Sequence, residues 1–98
     1  MPAYVIVDTK IHQPDEYENY KALARPIVEK HGGRYLARGG EMVIVDAELW
    51  APTRLVLLEF PDIASARGFT ESEEYAPVTA LRHQYADSTV VIIAGELA

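Results

Sequence analysis

Ninety-eight residues, 49% hydrophobic, with nine Lys and Arg against fifteen Asp and Glu, suit one acidic domain spanning 1–98 with a single core. A formal charge of −6 on a chain whose basic residues are scattered singly argues against nucleic acid as a partner, because phosphate binding needs clustered Lys and Arg. Zero cysteines exclude disulfides, Cys-ligated metals and thiol nucleophiles, and apolar runs no longer than a strand, with no leader pattern, predict a cytoplasmic protein without a membrane partner.

Ala3 to Ile11 is rich in β-branched and aromatic residues and reads as a strand. Pro14 opens a helix with Asp15, Glu16 and Glu18 early, where the positive end of the dipole favours them. Tyr17, Tyr20, Ala24, Ile27, Val28 and His31 follow at helical steps until Gly32-Gly33, and Pro26 inside the pattern predicts a kink. Arg34 to Arg38 is a short strand, interrupted by Gly39-Gly40 and resumed over Met42 to Val45. That glycine pair suggests a bulge or a close backbone approach. Asp46 to Pro52 is a turn, and Arg54 to Phe60 is the strongest strand.

Asp62 is an N-cap for a helix buried through Ile63, Ala66 and Phe69. Ser72 reads as a second cap, followed by Tyr75, Val78, Leu81 and Tyr85 at helical spacing, and Ser88 to Ala94 is the last strand. The order β-α-β-β-α-β predicts an α+β, ferredoxin-like fold: a four-stranded antiparallel sheet with two helices on one face. The strands are apolar on both sides, so a homodimer with sheet facing sheet is expected.

Parity sorts each strand into two faces. Val56, Leu58 and Phe60 belong under the helices, leaving Leu55, Leu57 and Glu59 on the opposite face. Arg34, Leu36 and Arg38 are assigned to that same opposite face, which brings Arg38 near Glu59 across the strands. Two charges on an apolar sheet face read either as a structural ion pair or as a site. In a site, Arg38 would hold a substrate carboxylate or enolate and Glu59 would act as the base. Tyr75 and Arg82, two helical turns apart, share a face and are candidates to line the entrance with Gly39 and Gly40.

His12, His31 and His83 lack metal-ligand spacing, so no metal is expected, and no nucleophile elbow or phosphate loop is present. No cofactor is expected either.

Four segments carry a family resemblance: Pro14 to Tyr20, Gly32 to Gly40, Arg54 to Pro61, and Ser72 to Tyr75 ahead of Leu81-Arg82. Together they resemble the domain of unknown function family 1330 over nearly the whole chain. The resemblance implies a dimeric α/β barrel, the fold of small cofactor-free monooxygenases and muconolactone-isomerase-like proteins. By position it also implies Arg38, Glu59, Tyr75 and Arg82 as its polar residues. Two functional readings follow. One is a cofactor-independent homodimeric enzyme (isomerase, lactone-processing or monooxygenase-like) acting on a small anionic or enolisable organic molecule. The other is a non-catalytic metabolite-binding or structural module.

Overall fold

The computed structural model describes residues 1–96, so the last two positions of the expected 1–98 domain lie outside the described residues. Seven elements follow in order: β1 (Ala3–Ile11), α1 (Pro14–Lys30), β2 (Arg34–Arg38), β3 (Leu55–Phe60), α2 (Ile63–Thr70), α3 (Ala76–Tyr85) and β4 (Ala86–Ala94). The strands form one antiparallel sheet ordered β2-β3-β1-β4, the ferredoxin-like arrangement, with all helices on one face.

α1 begins at Pro14 with Asp15 and Glu16 in its first turn. Tyr17, Ala24 and Val28 are its buried residues, one stripe facing the sheet. The helix continues to Lys30 through Pro26, which lies on its exposed side. Gly32 ends it in the left-handed region (φ 84°), and the Gly33 N–H donates to the Val28 carbonyl at 2.9 Å.

Between β3 and β4 two helices occur, as the second cap at Ser72 suggests, where the β-α-β-β-α-β order counts one helical unit. Hydroxyls make the break: Ser72 Oγ donates to the Phe69 carbonyl at 3.0 Å and accepts the Tyr75 N–H at 3.2 Å. One side chain thus closes α2 and caps the turn into α3. Asp62 caps α2 as expected, accepting the Ser65 N–H at 2.7 Å.

No strand forms over Met42 to Val45. The chain leaves the sheet at Gly39 (φ 65°), and residues 39–54 form a wide irregular connection. Its far end is tied to β1 rather than β2, because the Asp8 carboxylate accepts three N–H groups. These are Trp50 Nε1 at 2.8 Å, Thr53 N at 2.8 Å and Arg54 N at 2.9 Å.

The inner sheet face buries Ala3, Val5, Val56, Leu58 and Phe60 against Ala24 and Val28 of α1, Ala66 and Phe69 of α2, and Tyr75 and Val78 beyond. Outer-face residues stay partly open to solvent: Ile6, Leu55 and Leu57 are half-buried and Val91 and Ile93 are exposed. No helix among the described residues is long and apolar enough to cross a membrane.

Two measurements check this packing. A Cβ at Gly33 would lie 2.6 Å from the Phe60 ring and 2.8 Å from Val28 Cγ1, so Gly33→Ala should lose about 1–3 kcal/mol in urea denaturation. Asp8 feels burial that raises its pKa, but its bonds to Trp50, Arg54 and Thr53 outweigh this and hold it below 3.8. Its stabilising contribution is therefore complete above pH 3.8 and lost as pH falls through the lower folded value. Asp8→Ala should lower stability by about 1–3 kcal/mol at pH 7 and by much less at pH 2, read by the same titration.

Candidate functional site

Between the inner sheet face and helices α1 and α3 lies a cavity of about 190 Å³. Its floor is apolar, with Val5 and Val7 of β1, Val56 and Leu58 of β3 and Val90 of β4. One wall is aromatic. Phe69 packs on Tyr75 with ring centroids 4.3 Å apart, the Tyr75 hydroxyl lies 2.6 Å from that of Tyr20, and the Tyr20 ring meets Tyr17 at 5.0 Å. Tyr75 reaches this wall because the Ser72 turn separates α2 from α3 and swings its ring back over Phe69.

Four cations complete the lining: Lys21, Arg38, Arg54 and Arg82. They are four of only nine Lys and Arg in a chain of net charge −6, and no Asp, Glu or His lines the cavity among the described residues. The local field is therefore opposite in sign to the molecule as a whole. Lys21 is paired with Glu18 at 2.9 Å. Arg38 lies over the Tyr35 ring at 4.9 Å and Arg54 faces the Tyr17 ring at 6.0 Å. Arg82 donates from Nη1 to Ser88 Oγ, while its Nε is buried with no acceptor among the described residues. A buried guanidinium N–H in that state costs about 1–3 kcal/mol until an acceptor arrives.

Burial pushes the Tyr20 phenol well above its ordinary value, reinforced by Tyr75 beside it. Tyr17 and Tyr35 are also raised by burial, opposed by the charges of Arg54 and Arg38 respectively. All three phenols thus stay protonated near neutral pH and serve as neutral hydrogen-bonding groups.

Arg38, Tyr75 and Arg82, singled out in the sequence, meet in this cavity; Glu59 does not. The expected Arg38–Glu59 proximity is corrected by a bulge at Leu36. Tyr35 pairs with Leu58, but Ala37 pairs with Leu57 and Arg38 with Val56. The extra residue turns Arg38 to the helix side, since a one-residue slip reverses side-chain facing. Glu59 remains on the outer face and binds Arg34 Nη2 at 2.8 Å. The cavity lies under the helices, on the sheet face opposite Glu59. Gly39 packs beside the Arg54 guanidinium, whereas Gly40 is exposed, lines nothing and has no atom within 4 Å of where its Cβ would be. Arg54 was missed, although the parity that places Val56 and Leu58 inside places residue 54 there as well.

No curated protein matches the chain. Among solved structures, a protein of unknown function from Rhodopseudomonas palustris matches with TM-score 0.74 and 16% identity, over 99% of this chain and 84% of that one. SnoaB from Streptomyces nogalater, a cofactor-independent oxygenase, matches with TM-score 0.67 and 11% identity, over 99% and 95%. A dimeric ferredoxin-like protein of unknown function from Thermobifida fusca matches with TM-score 0.65 and 17% identity, over 96% and 91%. These likenesses agree with the sheet order and helix placement described above. The family model for Domain of unknown function (DUF1330) matches residues 2–96, and the chain belongs to that family.

Proposed function

We propose that this protein is a cofactor-independent enzyme that takes a small anionic or enolisable organic molecule into the cavity and stabilises its oxyanion. One observation carries the reading: four cations converge on an aromatic, apolar cavity, and among the described residues only Lys21 of the four is ion-paired. Guanidinium groups fixed in such a setting stabilise negative charge where it develops. Size limits the substrate, because about 190 Å³ is little more than the roughly 150 Å³ that holds benzene. A single-ring acid, phenol or enol fits.

With Glu59 on the outer face, the cavity has no carboxylate to take a proton. The substrate's own acidity supplies the anion instead, its proton passing to water, because nearby positive charge lowers the pKa of a bound enol or phenol. Arg38 and Arg82 hold the oxyanion, and the Tyr75 and Tyr20 hydroxyls orient the ring. Isomerisation, lactone chemistry and oxygenation each pass through such an anion, and the resemblance to a cofactor-independent oxygenase supports this class. The same lack of a carboxylate or imidazole favours, as a second reading, a module that binds such an anion without converting it. Accelerated deuterium exchange at the α-carbon of acetoacetamide, followed by proton NMR, separates the two; a rate equal to buffer leaves the binding module.

A second copy covers the outer sheet face in this proposal. The exposure of Val91 (48%) and Ile93 (53%) beside Ile6 and Leu57 supports it, as does the dimeric Thermobifida relative. Native mass spectrometry should give twice the 10.9 kDa chain mass, and a clean monomer would overturn the pairing.

The oxyanion reading is tested with 4-nitrophenol, whose phenolate absorbs visible light. Bound to the protein it should ionise about one pH unit lower than in buffer, a shift that Arg82→Gln largely removes. An unchanged or raised pKa on binding would sink the proposal.

A further inference from the structure

We propose that Arg54 selects for an anionic substituent on the cavity's ligand, and that Gly39 is the positioning residue that seats its guanidinium there. The inference rests on the cavity being a ligand site and names the group that gives it charge selectivity.

The cations of the lining are not equivalent. Lys21 is held by Glu18, Arg82 is tied to Ser88, and Arg38 lies close over the Tyr35 ring. Arg54 makes no side-chain hydrogen bond or ion pair among the described residues, and its one aromatic neighbour, Tyr17, stands at 6.0 Å. Its guanidinium donors therefore have no side-chain acceptor among the described residues, and Glu18 acts on the group only through its charge.

The backbone beneath it is pinned from three sides. The Arg54 N–H donates to Asp8 Oδ1 at 2.9 Å, and its carbonyl accepts the Thr9 N–H at 3.0 Å. Opposite, the Gly39 N–H donates to the Leu55 carbonyl at 2.9 Å. Only the side chain has freedom, and it occupies the space that a Cβ on residue 39 would take. A Cβ there would stand 2.5 Å from Arg54 Nε and 2.9 Å from both Cζ and Nη2. With φ 65° and no side chain, Gly39 leaves the guanidinium its place beside the cavity. A side chain at residue 39 would move the charge.

Calorimetric titration with benzoate and its neutral isostere benzamide tests this. Wild-type protein should prefer benzoate by about tenfold or more. Arg54→Gln should lower that ratio by about threefold or more, with Arg38 and Arg82 supplying the remainder, while benzamide binding persists, and Gly39→Ala should do the same. Adding Gly39→Ala to Arg54→Gln should change nothing further, since both act on one group. Gly32→Ala, at a left-handed glycine (φ 84°) outside the cavity, controls for backbone strain and should keep the ratio. Gly39→Asn suits left-handed backbone and carries the same Cβ, so it covers failure of the alanine variant to fold.

If Arg54→Gln keeps the preference while Arg38→Gln or Arg82→Gln abolishes it, this inference falls and the cavity proposal stands. If wild-type protein binds neither compound, both fall. Without ligand, the Arg54 Nε–Hε NMR signal, assigned by its loss in Arg54→Gln, should shift in Gly39→Ala. An unchanged signal would overturn the positioning role.

Discussion

The Asp8 carboxylate, receiving N–H groups from Trp50, Thr53 and Arg54, is the interaction on which the rest of this architecture depends. β1 is central, paired with β3 on one side and β4 on the other. A residue on its outer face that captures the chain just ahead of β3 sets where that strand begins. Asp8 opposite Leu55 then aligns Val56, Leu58 and Phe60 with the helices, and Phe60 closes the core against Gly33. The same clamp delivers Arg54 to the inner face. Structural order and the charge of the cavity thus share one origin.

A second constraint is the bulge at Leu36. β2 is an edge strand and pairs only with β3, so an inserted residue disturbs a single ladder. Its effect is to divide two arginines that simple alternation assigns to one face. Arg34 meets Glu59 outside, where solvent keeps the pair weak, and Arg38 turns inward against Tyr35. The cavity lining is cationic in an acidic molecule because Glu59 lies on the outer face and Asp8 is held by the connection, while Glu18, bonded to Lys21, offsets only part of that charge.

Much of the fold was legible. Strong strands, a proline-initiated helix and the Asp62 cap each follow from local chemistry, and their order leaves one common topology. The split of α2 from α3 was half visible, since Ser72 read as a cap without showing that it also ends the preceding helix. Met42 to Val45 misled. Its apolar, β-branched run has strand propensity, but Asp8 draws the returning chain toward β1 and leaves that run unpaired.

The sequence by itself determined the element order, the inward set of β3, and the residue types that carry charge into the cavity, because these rest on periodicity and on contacts within a few residues. Tertiary structure alone decided which arginine faces which way, that Glu59 pairs with Arg34, and that Arg54 fits beside Gly39. Those outcomes depend on a one-residue change of register and on a clamp joining residues more than forty apart in the chain, and neither leaves a local pattern to read.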